Sequence, residues 1–234
     1  MFANNYGVKM RKLICLSALI ATHWAFGQNV IWNEVVKSRE GTERELYRIN
    51  PEISKAEYLG EVEVQGFSAD DAKVFGLIYK KAKEIGANSF SFRPFESVDG
   101  KKQKFDPWNY RISLYYMPSA EIPEEKGVLY IYAPPAQDQS VSLNNTKIKF
   151  KERTYTVRKL ADGETYSLST RKLLGSSVKL KADVNQPAQY LQLQAFQVQS
   201  ASYGEAGINL KSGDIIRLER SFADFLSVIY TQFK

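Results

Sequence analysis

The stretch Tyr58-Leu-Gly-Glu-Val-Glu-Val-Gln65 alternates apolar and charged side chains, the two-residue period of a strand with one buried face. On that pattern Val62 and Val64 face a core, while Glu61 and Glu63 share the opposite, solvated face. The period then lengthens. Ser68-Ala-Asp-Asp71 has the form of a capping box, and Phe75, Ile78, Ala82 and Ile85 recur at helical spacing, with Val74 and Leu77 widening the stripe. Gly86 is placed to end that helix in a left-handed turn. Ser89 to Phe95 and Tyr110 to Tyr116 read as further strands, with a turn or loop opening at Val98-Asp-Gly-Lys101 between them. The order is β-α-β-β. The polar residues 33–45 ahead of it read as loosely ordered.

Apolar periodicity stops after Met117. Residues 118–127 hold two prolines, three glutamates and a glycine, the composition of a linker. Strand signals dominate beyond it. Val128 to Ala133 is an apolar strand ended by Pro134-Pro135. Asn144-Asn145 separates two alternating runs, a hairpin signal. Asp162-Gly163 separates Arg153–Leu160 from Thr165–Thr170 and predicts a second hairpin. Val178–Val184, Tyr190–Gln199 and Ile215–Glu219 supply further strands. A final helix opens at a second capping box, Ser221-Phe-Ala-Asp224, and aligns Phe222, Phe225, Leu226, Ile229 and Phe233. The expected fold class is α+β: a small β-α-β-β domain over 28–117, the linker, and an all-β sandwich domain with a C-terminal helix over 128–234.

The run Ala82-Lys-Glu-Ile-Gly-Ala-Asn88, with a helix before it and a strand after it, resembles the RcsF- and YbjQ-like small α/β domains of bacterial envelope proteins. The resemblance covers about residues 58–117 and implies a fold for that segment. The run VSLNNTKIKFKERTYTVRKLADGETYSL, followed by QYLQLQ, resembles the prealbumin-like β-sandwich domains of bacterial envelope proteins, over about residues 127–200. It implies a binding or spacer unit without catalytic motifs.

The N-terminus changes the picture of where the protein works. Lys9, Arg11 and Lys12 precede the short apolar run Leu13–Ala21, and Ala25-Phe26-Gly27 offers small residues where a signal peptidase reads them. Residues 1–27 thus read as a signal peptide, with Gln28 first in the mature chain. The apolar run is too short to span a bilayer. The chain's single cysteine and single histidine, Cys15 and His23, both fall in this segment. The mature protein would lack the side chains behind most nucleophilic catalysis and transition-metal binding, and could form no disulfide. The net charge of +6 loses the three positive charges of Lys9, Arg11 and Lys12, leaving +3, too mild a balance to argue for nucleic acid. A hydrophobic content of 44 % is sufficient for a core without disulfides.

Candidate chemistry is sparse. Glu61 and Glu63 could act as paired carboxylates on a glycoside, although a solvated strand face is the simpler reading. Lys147, Lys149 and Lys151 alternate with Ile148 and Phe150, so their amines line one strand face, with Arg153 continuing it. That stripe could meet anionic phosphates or an acidic partner. It could equally be a solvated face protecting an edge strand. Trp108, after Asp106-Pro107 and ahead of Tyr110, is placed to stack on a sugar or a partner. No residue pattern indicates a metal or a cofactor. The sequence therefore points to an exported, non-enzymatic envelope protein, periplasmic first, secreted or outer-membrane-associated otherwise. It would act as a binding or structural interaction module toward an envelope protein or an anionic glycolipid or polysaccharide, using Lys147, Lys149, Lys151, Arg153, Trp108 and Tyr110. The alternative is a carbohydrate-binding or carbohydrate-active protein using Glu61, Glu63 and Trp108.

Overall fold

The computed structural model describes residues 29–66, 68–97, 99, 101–170, 176–194 and 215–233. The signal-peptide reading, with Cys15 and His23, lies outside the described residues, as does the end of the expected 190–199 strand. Within them the chain is mostly β, with two helices and three sheets.

The first sheet uses β1 (Asn29–Val35), β2 (Tyr47–Arg48), β3 (Glu57–Gln65), β4 (Ser89–Arg93) and β5 (Asn109–Tyr116), in the order β1-β3-β5-β4-β2. Helix α1 (Asp71–Glu84) covers one face, burying Val74, Ile78 and Ala82 in a cluster with Val62, Val64, Phe90, Ile112 and Leu114. The helix ends as its sequence predicts: Gly86 has φ +73°, a conformation a side chain opposes.

Its start differs from the expected box. Asp70 is the N-cap and accepts the Lys73 amide at 3.0 Å, while Ser68 Oγ accepts the Asp70 amide. Asp71 is thereby released from capping and turns inward. The stretch read as loosely ordered is also structured. Residues 33–35 finish β1, antiparallel to β3, and the amides of Val36, Lys37 and Arg39 bond to the carbonyls of Leu59 and Ile85. An edge strand is half exposed, so its polar composition concealed it.

The second half contributes β6 (Val128–Tyr132), β7 (Gln139–Leu143), β8 (Thr146–Phe150), β9 (Thr154–Lys159), β10 (Thr165–Ser169), β11 (Ser177–Lys181), β12 (Gln189–Leu193), β13 (Ile215–Arg217), helix α2 (Arg220–Ile229) and β14 (Thr231–Gln232). They form two sheets, β11-β10-β7-β8 and β13-β12-β6-β9-β14. Leu129, Ile131, Leu191 and Leu193 of one sheet share a buried cluster with Val141, Phe150, Leu168 and Leu180 of the other.

Asn144 and Asn145 both have positive φ and close the β7–β8 hairpin, as a two-residue primed turn requires. The Asp162-Gly163 hairpin does not form. A turn is present, but β9 pairs with β6 and β14 while β10 pairs with β7 and β11. Turn chemistry reverses the chain without specifying that the flanking strands pair.

Helix α2 is capped by Glu219, whose carboxylate accepts the Phe222 amide, and not by Ser221. Ser221 Oγ instead accepts the Leu46 amide at 2.9 Å, and Asp224 accepts the Arg48 amide at 3.2 Å. The Arg48 amide belongs to the edge strand β2 and the Leu46 amide immediately precedes it, so two α2 side chains occupy hydrogen-bonding positions that a further strand would otherwise fill. The same helix stacks Phe222 and Phe225 on Phe75 of α1 and buries Phe225 and Leu226 in a cluster shared with Tyr132, Tyr155 and Tyr190. One apolar cluster thus contains residues from both halves of the chain.

Candidate functional site

Three polar constellations emerge from this framework. The first lies on the side of the first sheet away from α1. Glu61 was expected in water, yet it is wholly buried. Its strand is interior to the sheet, so neighbouring side chains close over it. Glu61 Oε1 accepts Asn33 Nδ2 at 2.8 Å, and Oε2 accepts Arg93 Nη1 and Ser113 Oγ, both at 3.1 Å. Arg111 Nε lies 3.1 Å from Glu63 Oε2 and 3.7 Å from Glu61 Oε1, its guanidinium stacked on Phe95. The two glutamates do share a face, as their spacing requires. Every contact to Glu61 comes from a donor or a cation, which is the pattern of an ion-pair ladder.

The second constellation joins the halves. Asp71, released from the helix cap, accepts Tyr230 Oη at 2.8 Å and pairs with Arg153 Nη2 at 2.9 Å. Burial pushes the Asp71 carboxyl above its ordinary range, against the pull of the Arg153 charge and the Tyr230 hydrogen bond. The same Arg153 nitrogen also donates to the Ser68 carbonyl. This corrects the expectation that Arg153 extends the lysine stripe. After Phe150 the chain turns, Arg153 takes φ +50°, and the strand alternation that would align it is lost. Lys151 likewise lies in that turn, exposed but beyond β8. Tyr110 is corrected as well: it is a core residue, 3 % exposed, packed on Phe105. Trp108 is 60 % exposed, its carbonyl accepting the Gly66 amide at the end of β3 where Gln65 pairs with Asn109.

The third constellation is the outer face of β11-β10-β7-β8. Val141, Phe150, Leu168 and Leu180 face the core, so alternation puts Ser140, Ser142, Lys147, Lys149, Thr165, Ser167, Ser169, Ser177, Lys179 and Lys181 on the other face, where Ser142 is buried and Ser140, Ser167 and Ser169 are half-buried. Register then sets these side chains in rows. Ser177, Ser169, Ser142 and Lys147 are successive partners across all strands of the sheet, as are Lys179 with Ser167 and Ser140 with Lys149. Lys147, Lys149, Lys179 and Lys181 are exposed, and among the described residues no carboxylate pairs with any of them. The four strands contain no acidic residue. Lys179 and Lys181 were not singled out from sequence. Ser177-Val-Lys-Leu-Lys181 carries the same alternation as the 147–151 run, but only the pairing puts both on one face.

A cavity of about 440 Å³ opens beside this face, lined by Asp138, Gln139, Ser140, Lys147 and Thr170 among others. A second void, near Asp71 and Arg153, is only about 10 Å³, about the volume of one water. Among the described residues no group of three or more His, Cys, Asp and Glu side chains could hold a metal ion, and no helix is long and apolar enough to cross a membrane. Comparisons with protein families, with curated proteins and with solved structures returned no match.

Proposed function

We propose that this protein is an exported, non-enzymatic interaction module of a bacterial cell envelope, most simply periplasmic, whose contact surface is the lysine–serine face of β11-β10-β7-β8. On this reading residues 128–234 form a β-sandwich carrying the contact face, and residues 28–117 form an α/β unit clamped to it. One observation carries the reading: Lys147, Lys149, Lys179 and Lys181 stand on one sheet face without a carboxylate in its strands. Neighbouring lysines on one strand face, Lys147 with Lys149 and Lys179 with Lys181, repel each other, and an anionic partner relieves that repulsion.

Lysines protecting an edge strand from aggregation would explain either edge of this sheet separately. That role does not account for serine or threonine at every outward position of the two interior strands. The carbohydrate-active alternative draws support from Trp108, exposed at the sheet end where Glu63 pairs with Arg111. Against it, both carboxylate oxygens of Glu61 are already engaged, by Asn33, Arg93 and Ser113.

The test compares wild type with a variant carrying Lys→Ser at 147, 149, 179 and 181, both crosslinked gently in native envelopes. A component retained by wild type and released by the variant supports the proposal. Equal retention by both overturns it. A Glu61→Gln, Glu63→Gln variant that folds but loses the component would transfer the reading to the first sheet.

A further inference from the structure

We infer that β1 is a self-pairing edge: two copies of the chain join antiparallel along Asn29–Asn33, about a two-fold axis at Ile31, and so double the five-stranded first sheet. The inference goes beyond the reading of the lysine–serine face and does not depend on it.

β1 ends the first sheet, so its backbone on the side away from β3 has no strand beside it among the described residues. Such an edge is an open template unless something blunts it, commonly a lysine, a proline or a covering segment. Three other edges here are blunted. β8 and β11 carry Lys147, Lys149, Lys179 and Lys181, and at β2 the Leu46 and Arg48 amides are taken by Ser221 and Asp224. β1, Asn-Val-Ile-Trp-Asn-Glu-Val, holds neither lysine nor proline. It gathers exposed apolar side chains instead. Ile31 is 43 % exposed, Val35 49 %, and Val36, the next residue, 63 %.

The order of side chains along the strand selects the occupant. Asn29-Val-Ile-Trp-Asn33 reads polar, apolar, isoleucine, apolar, polar from either end, so it matches itself when reversed. An antiparallel pairing centred on Ile31 sets Ile31 against Ile31, Val30 against Trp32 and Asn29 against Asn33. The faces agree as well. Val30 and Trp32 stand opposite Val64 and Val62, on the side that α1 covers, and Ile31 stands opposite Glu63 on the open side. Moving the axis to Trp32 would set Val30 against Glu34 and Ile31 against Asn33, apolar against polar.

Charge permits the approach. Glu34 is the strand's one ionisable side chain, and its carboxylate accepts the Tyr58 hydroxyl. The Ile31 axis puts the two copies of Glu34 at opposite ends of the pairing. On the helix side Lys81 is drawn over the Trp32 ring, 4.9 Å from its centroid. Leu77, one turn earlier on that stripe, is left 37 % exposed. Both α1 helices stand on this side of the joined sheet, and the second copy's Val30 and Trp32 extend its apolar strip. The bulge between Trp32 and Glu34 ends the regular pleat. It limits the pairing to about five residues a strand, roughly 17 Å, so the interface is small and the dimer weak and reversible.

Sedimentation equilibrium of the purified protein tests this, with half-association expected between roughly 10 and 1,000 µM. Ile31→Lys sets two like charges at the axis and should weaken association about tenfold or more. Its melting temperature should hold, because Ile31 is half exposed. Ile31→Cys, in a chain whose Cys15 is replaced by serine, should form a disulfide-linked dimer in a glutathione redox buffer. A residue opposite its own copy lies about 4.5–5.5 Å away, Cα to Cα, within reach of that bond. Ile53→Cys, 83 % exposed and outside β1, should stay largely monomeric in the same buffer. A monomer throughout the concentration range overturns the inference. A dimer that survives Ile31→Lys also overturns it, by placing the contact elsewhere. Association lost in Ile31→Lys without a disulfide from Ile31→Cys overturns the Ile31 axis. If purified wild type stays monomeric while Ile31→Cys crosslinks to a different protein in native envelopes, a foreign strand replaces the second copy. The Lys→Ser variant at 147, 149, 179 and 181 should dimerise as wild type does, and loss of its dimer would move the contact to that face and overturn the edge. Failure of the edge by any other route leaves the lysine-face reading standing.

Discussion

Arg153→Met tests whether the two halves of the chain are held together by a buried ion pair. Asp71 is 6 % exposed, and its carboxylate is held by Arg153 and Tyr230. Removing the guanidinium leaves an ionised group with one neutral donor in an environment that already pushes its carboxyl upward. Breaking a buried pair from one side costs about 3–5 kcal/mol, which for a domain of this size corresponds to a fall in melting temperature of roughly 10 °C.

The folded value of Asp71 is raised, so its contribution to stability is greatest at low pH and declines as pH rises through that value. Without Arg153 the folded value rises further, and the loss should grow between pH 4 and pH 8. Asp71→Asn should cost less, because the amide oxygen can still accept Tyr230 and the arginine, 19 % exposed, can reach water. The double variant Asp71→Asn, Arg153→Met should recover much of what Arg153→Met loses. Urea unfolding followed by tyrosine fluorescence and by far-ultraviolet circular dichroism, at both pH values, supplies the measurements. A pH-independent loss below about 1 kcal/mol, the scale of an exposed pair, would refute the reasoning. Loss of coincidence between the two probes in the single variant would show the halves uncoupling.

Two further outcomes follow from the structure. Burial raises Asp224 to about 6, so its contribution to stability is present at low pH and is lost as pH rises through that value. Asp224→Asn, which keeps an acceptor for the Arg48 amide, should therefore stabilise the protein at pH 8 by at most about 3 kcal/mol, with the gain vanishing near pH 4; thermal melts across that range decide it. Gly86→Ala places a Cβ 2.1 Å from the Arg39 carbonyl oxygen at φ +73°, and should cost about 2 kcal/mol or more in urea unfolding. A cost near that of an exposed helix substitution would mean that residues 36–40 do not pack there.

Short-range periodicity carried a good part of this fold. The strand at Glu57–Gln65, the helix through Ala82, its stop at Gly86 and the Asn144-Asn145 turn each depend on residues within a few positions of one another. The candidate site was half legible for the same reason: Lys147 and Lys149 were visible as a stripe, and Lys179 and Lys181 were not joined to them. Arg153 was misassigned because a single turn residue with positive φ broke the alternation. Glu61 was misassigned because alternation specifies a face and not what covers it.

The sequence by itself determined which side chains share a strand face or a helix stripe, since those relations are set by backbone periods of 2 and about 3.6 residues. Only the tertiary structure decided which strands pair. It placed β9 and β10 in different sheets despite a turn between them, brought Arg153 to Asp71 and Tyr230, and lined Lys147 up with Ser142, Ser169 and Ser177 across four strands. It also left the Gln139 amide buried without a hydrogen-bond partner among the described residues. These relations join residues far apart in the chain, where partner choice follows from the packing of the whole core and from no local pattern.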